Sequence, residues 1–359
     1  MKTEEMGNNM GFTKATRFSG ISRYAVVLLA IALFATIGYG VLAKHPPPLK
    51  GKGEDLKCYH AIIDRMRLGE AYYEAAGYEL RGRGYATASV FNWRLPTLAW
   101  LMALLPNDRV SKLMAVVLAL ASSLLWLNVL RRSNLSFPQT MFAMLLLQGP
   151  IIYSVSSDCF VAHEFWAGTL ITFSLAAYGR GLVWLSVLSG LLALFLRELA
   201  LPFVMVMLVL SIWEGHRREA LAWFTGIMAF GVGFLVHWSL VIKLITESDR
   251  VMEGGWIVFG GWPFVLSTVQ MHPYLLLPPL WVTALITPIV LLGLAGWRGA
   301  LGLRIASTVG IYVVAFLVVG RPFNKYWGLV YTGTMLLGLM QAPRCFIDLW
   351  KSVFGTIRR

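Results

Sequence analysis

Apolar runs of roughly 18 or more residues recur along this chain, separated by short polar connections. The first is Tyr24–Ala43. Further runs follow at Lys112–Leu130, Pro138–Ser154, His163–Tyr178, Leu182–Leu196, Leu199–Trp213, Ala220–Ile242, Leu276–Trp297, Gly302–Val319 and Tyr326–Gln341, several of them short. The pattern predicts an all-α polytopic membrane protein, a bundle of about ten transmembrane helices in one domain over residues 1–359. The short alternating segments of a β-barrel are absent from the sequence.

One stretch breaks this rhythm. Residues 44–111 form a long polar loop after the first span. It opens with the proline- and glycine-rich strap KHPPPLKGKG, which cannot be helical. A helical pattern then runs from Glu54 to about Gly77. Gly82 and Gly84 mark an irregular stretch. The apolar segment Pro96–Leu105 is too short to span and is expected to lie as an interfacial helix.

Composition and charge narrow the reading. The chain is 57% hydrophobic, above the 45–50% or so of soluble domains, with a mean hydropathy of +0.66. A formal charge of +13 raises nucleic acid as a partner. The basic residues, however, fall in small groups at span ends, as orientation signals do. With the N-terminus in the cytoplasm, the inner segments collect fifteen Lys/Arg, Arg304 among them. The short outer segments hold five: Arg197, Lys243, Arg250, Arg321 and Lys325. Residues 1–23 and 342–359 are therefore expected inside, and residues 44–111 outside. No small-residue cleavage site follows Ala43, so the first span reads as retained. Cys58, Cys159 and Cys345 show no metal-ligand spacing. A disulfide between Cys58 and Cys159, both expected outside, stays open.

This topology gathers polar residues at one membrane face, where charges are costly and usually functional. They are Asp55 and Tyr59 in the loop; Asp158 and Glu164 in SSDCFVAHEFW; Arg197 and Glu198; and Arg321, Asn324, Lys325 and Tyr326. Each also has a structural reading. Asp55 or Asp158 would serve as a helix cap. Arg197 and Glu198 would form a structural ion pair. His163 and His237 read as packed histidines. Asp55, Tyr59, His60 and Asp64 lie along one helix at spacing only weakly suited to metal ligands, which leaves a divalent metal open as a cofactor.

The ordering of these features resembles the GT-C class of integral-membrane glycosyltransferases, above all the bacterial polyprenyl-phosphate-mannose-dependent transferases. The resemblance rests on Asp55-Leu-Lys-Cys-Tyr59, Gly69-Glu-Ala-Tyr72-Tyr73 and Asn92-Trp-Arg94-Leu-Pro96. It continues with Asp158 and Glu164, Leu196-Arg197-Glu198-Leu199, and Gly320-Arg321-Pro-Phe-Asn324-Lys-Tyr326-Trp327-Gly328. It covers most of the chain as an order of features.

The resemblance implies an inverting transferase on the outer face of a bacterial inner membrane. The donor would be a polyprenyl-phosphate-linked sugar, and the acceptor a lipid, glycan or protein. Asp55 would be the general base, with Asp158 and Glu164 as the other carboxylate candidates. Arg94, Arg197 and Arg321 would hold the lipid phosphate, and Tyr59, Glu198, Asn324 and Tyr326 would complete the substrate site. This chain has a single Asp55 where some members carry paired acids, and it has no large soluble C-terminal domain. The chemistry is coherent in itself: a positioned carboxylate activates a hydroxyl, and guanidinium groups grip phosphate as a fork. A multipass transporter or flippase, or a non-catalytic subunit of an envelope assembly, is the competing class. No internal repeat of the transporter kind is visible.

Overall fold

The computed structural model describes residues 15–43, 54–156, 158–255 and 258–355. The proline-rich strap lies outside them. The described residues fold as helices without strands, labelled here α1 (Arg23–Leu42), α2 (Glu54–Arg67), α3 (Tyr72–Gly82), α4 (Pro96–Leu104), α5 (Asp108–Arg131), α6 (Phe137–Leu146), α7 (Gly149–Ser156), α8 (His163–Gly179), α9 (Val183–Leu196), α10 (Leu201–Trp213), α11 (Arg217–Ile242), α12 (Gly261–Val269), α13 (Pro273–Leu276), α14 (Leu280–Gly296), α15 (Ala300–Val318), α16 (Thr332–Met335) and α17 (Gly338–Phe354). Short 3₁₀ turns connect several of them.

Local signals set many of the boundaries. The Ser22 side chain accepts from the Ala25 amide and starts α1. Asn107 does the same for α5, and Ser136 with Gln139 forms a capping box before α6. Among the described residues, four helices are long and apolar enough to cross a membrane: α1, α5, α11 and α15. Shorter apolar helices include α6, α9, α10 and α14. By length and composition the described helices thus establish four candidate spans, fewer than the ten read from the sequence.

The helix expected from Glu54 to Gly77 is two helices. Gly69 takes φ +99° between α2 and α3, a backbone setting that favours glycine. Arg65 then reaches across the turn, 2.6 Å from Glu70 and 2.8 Å from Glu79, and clamps the pair. α4 forms where a short interfacial helix was expected, with Leu98, Ala99 and Met102 buried and Trp100 and Leu104 exposed.

The last expected span, Tyr326–Gln341, departs furthest. Pro322–Val330 is 3₁₀, α16 is a single turn, and regular helix resumes only at Gly338. The cause is close backbone packing. A Cβ on Gly328 would sit 1.9 Å from the Thr268 carbonyl oxygen, and one on Gly168 2.0 Å from that of Leu329. The segment therefore threads between α8 and α12, with Asn324, Gly328 and Val330 buried.

α8 is the hub. Its residues from His163 to Thr172 are buried without a break, as expected of a helix that is apolar or small all round. It packs against α5, α9 and the Pro322–Val330 segment. Whatever sits in its first turn is held from several sides, and that turn carries His163 and Glu164.

Arg304, read from the sequence as a topological charge, is fully buried in α15. Its guanidinium forks onto Glu214 at 2.7 and 2.6 Å and lies 3.7 Å from the Tyr178 ring centroid. A surface role for Arg304 is thereby corrected: a charge at this depth needs a partner, and the turn after α10 supplies one.

Candidate functional site

The site begins in the loop after α1. α2 and α4 pack together and bring Tyr59 to Arg94. The Arg94 Nε donates to the Tyr59 hydroxyl at 3.0 Å, and Nη2 donates to the Tyr326 hydroxyl at 3.1 Å. The Arg94 carbonyl accepts from the Tyr72 hydroxyl at 2.5 Å. One arginine thus joins the loop to the irregular segment near the end of the chain. Burial pushes the Tyr59 phenol up to about 12, so it keeps its proton at neutral pH. With its oxygen accepting from Arg94, that proton is left to donate.

The second half of the site comes from α8 and the end of α9. Arg197 and Glu164 are each 1% exposed and stand 2.8 Å apart, Nε to Oε1. The contact lies off the N–H axis, so it is an ion contact rather than a directed hydrogen bond. Arg197 Nη1 also pairs with Glu198, whose side chain is 28% exposed. His163, beside them, is 4% exposed; its ring stands edge-on to Tyr59 with centroids 5.1 Å apart. Among the described residues neither ring nitrogen makes a well-aligned hydrogen bond, although the Leu95 backbone lies close to the ring.

The two halves sit within electrostatic reach of each other. Tyr59 is influenced by Arg94, Glu164, Asp55 and Arg197, and Tyr326 by Arg94, Tyr59, Glu164 and Asp55. Asp55 is half-buried in the first turn of α2. Its Oδ1 accepts from the Tyr85 hydroxyl at 2.5 Å, and no hydrogen bond to Oδ2 is present among the described residues. The structure therefore brings together Asp55, Tyr59, Arg94, Glu164, Arg197, Glu198 and Tyr326.

The other sequence candidates lie elsewhere. Asp158 is exposed and pairs with Lys112 at 2.7 Å; that hydrogen bond holds its carboxyl below the usual range. Arg321 Nη2 donates to the carbonyls of Glu253, at 2.6 Å, and Gly255. Asn324 is buried three residues further on. His60 faces Asp108 at 3.6 Å and not Asp55. Among the described residues no three His, Cys, Asp or Glu converge as metal ligands. Cys58 and Cys345 carry free thiols, and all three cysteines are buried.

Two spaces adjoin the group. One, under Tyr59, Tyr72, Arg94 and His163, has a volume of ≈ 10 Å³, room for a single water. The other is an apolar groove of ≈ 470 Å³ between α10 and α15, lined by Leu201, Met205, Val209, Ser307, Ile311 and Ala315. Its walls include residues with strongly exposed apolar side chains. Leu201 lies four residues beyond Arg197, so one end of the groove adjoins the charged turn.

A further contact fixes the loop from its other side. Asp249 takes the Arg81 fork at 2.7 and 2.9 Å, together with the Thr87 hydroxyl at 2.6 Å. His237 lies 3.0 Å from the Tyr73 hydroxyl and 3.1 Å from the Trp93 carbonyl. Tyr85 and Asp249 are not among the sequence candidates, because their side-chain partners Asp55, Arg81 and Thr87 lie 30, 168 and 162 residues away along the chain.

Comparison with known proteins adds no relative: no family model, no curated protein and no solved structure matches this chain.

Proposed function

We propose that this protein is an inverting glycosyltransferase of the GT-C kind, acting on the outer face of a bacterial inner membrane. It would move a sugar from a polyprenyl-phosphate donor to a lipid, glycan or protein acceptor. The observation that carries the reading is the convergence of Asp55, Tyr59 and Arg94 from the loop with Arg197, Glu198 and Tyr326 from the bundle, at one end of an apolar groove. A ten-span arrangement with broken and shortened helices belongs to the same proposal.

The roles follow from the contacts. Arg94 and Arg197 supply positive charge to a lipid phosphate, and the groove between α10 and α15 suits an isoprenoid chain. The hydroxyls of Tyr59 and Tyr326, each accepting from Arg94, keep a proton with which to bind phosphate or sugar oxygens. Tyr85 orients Asp55 through Oδ1 and leaves Oδ2 for the acceptor hydroxyl. A base so placed contributes a factor of about 10² to 10⁴. Glu164 is sealed against Arg197 and supports that arginine rather than transferring protons. Displacement at the anomeric carbon by the activated hydroxyl releases polyprenyl phosphate with inversion.

The test is sugar transfer from polyprenyl-phosphate donors by purified protein, comparing Asp55→Asn with the parent. The expected outcome is a normal melt in detergent and a rate loss of about 10² or more. Turnover within a few-fold of the parent would leave Asp55 as a helix-start residue and remove the proposed base.

A further inference from the structure

The two halves of the site are held by different elements, and one buried side chain connects those elements. Tyr312, in α15, is 0% exposed. Its hydroxyl donates to the Leu199 carbonyl at 2.6 Å. Leu199 belongs to the 3₁₀ turn Glu198–Ala200, directly after Arg197. In this turn the chain leaves α9 and begins α10, and the Arg197 backbone is extended, with φ −152° and ψ 118°. The turn's own backbone bonds close on the Arg197 and Glu198 carbonyls, and the Tyr312 hydroxyl ties the Leu199 carbonyl to α15 from outside the turn.

The Tyr312 ring has a second neighbour. It lies face-on to Tyr331, with centroids 5.4 Å apart and planes 15° apart, and Phe316 closes on both rings. Tyr331 caps the Pro322–Val330 segment, and its own hydroxyl lies 2.9 Å from Thr268 Oγ1. That segment carries Tyr326, which accepts from Arg94. A continuous buried path thus runs from the Arg197–Glu198 turn, through Tyr312 and Tyr331, to the segment that presents Tyr326.

We propose that Tyr312 is a positioning residue that sets the Arg197–Glu198 turn against the Tyr326 segment, and so fixes the spacing of the phosphate-binding charges in the proposed transfer reaction. It touches no substrate. The inference rests on the glycosyl-transfer reading for its kinetic consequence but not for its structural one. Rigid spacing matters because misplacement of binding groups by about 1 Å can cost on the order of 10² in rate. Packing also favours a coupled pair of rings over two independent ones, since an offset or stacked aromatic contact has a preferred geometry.

Tyr312→Phe is the informative variant. It keeps the ring on Tyr331 and removes only the bond to Leu199. Two measurements are made on the purified full chain. The first is amide hydrogen exchange in a peptide spanning Phe195–Leu201, expected to rise tenfold or more while α8 peptides stay unchanged. The second is transfer kinetics, with kcat expected to fall tenfold or more while the donor KM stays within about threefold. If Tyr312→Phe does not fold, Tyr331→Leu removes the stack from the other side and should loosen the Pro322–Val330 segment by the same exchange measure.

Unchanged exchange at Phe195–Leu201 in a folded Tyr312→Phe protein overturns the proposal. So does a loss that falls wholly on donor KM. Absence of transfer by the parent counts against the transferase reading alone, and exchange then decides the role of Tyr312 by itself.

Discussion

Arg197 and Glu164 meet 2.8 Å apart with both side chains 1% exposed. Neither could sit at that depth alone, because an unpaired buried charge is far more costly than the pair. Glu164 comes from the first turn of α8 and Arg197 from the end of α9, so the pair also locks the mouth of the hub helix.

Glu164→Gln should therefore lower stability by about 3–5 kcal/mol, the usual cost of breaking a buried pair from one side. Replacing both groups, as Glu164→Leu with Arg197→Met, should cost less than either single change, since Glu198 is partly exposed and can be solvated. Thermal unfolding in detergent reads this directly. Single variants that melt with the parent would show that the pair contributes nothing to the fold.

Acid should act through Asp249. The Arg81 fork, opposed by burial and helped by the Thr87 hydroxyl and the Thr246 amide, holds its carboxyl well below the carboxylate range. A depressed folded value means the bond stabilises fully above the unfolded value of about 3.9 and is lost as pH falls towards the folded one. Asp249→Asn should be less stable than the parent at pH 7 by about 1.5–3 kcal/mol, the worth of a hydrogen bond to a charged group. The gap between the two should narrow steadily below pH 4 or so. A constant difference from pH 7 to pH 3 would mean the ionised form has no special role.

Gly328 and Gly310 make a matched test of the irregular segment. Gly328→Ala would push a methyl to within 1.9 Å of the Thr268 carbonyl oxygen and should destabilise by at least about 1–3 kcal/mol, as overpacking does. Gly310, inside α15, has nothing within 4 Å of an added Cβ. There Ala should stabilise by about 0.5–1 kcal/mol. Equal melts for the two variants would contradict the close packing described for Pro322–Val330.

The parts of this molecule written in local pattern were legible in the sequence. The apolar runs marked α1, α5, α11 and α15, and the charged loop marked the elements that carry Asp55, Tyr59 and Arg94. What depended on distant partners was not legible. Arg304 looks like any basic residue at a span end until Glu214, 90 residues away, is placed against it. The run from Tyr326 to Gln341 is apolar enough for a helix. Only the approach of the Thr268 and Leu329 carbonyls to Gly328 and Gly168 reveals why it is not one. Asp158 is the reverse case: a carboxylate in a suggestive motif that lies exposed and paired with Lys112.

The hydrogen bond from Arg94 to Tyr326 spans 232 residues. At ribosomal speeds of roughly 5–20 residues per second, that separation corresponds to about 12–46 s of synthesis. For all that time the loop with Asp55, Tyr59 and Arg94 exists without the segment that completes it, while the intervening helices are still being made. Competence would then arrive as a late event in the life of each nascent chain, and a ribosome that stalls before Tyr326 would leave a well-embedded protein with half a site.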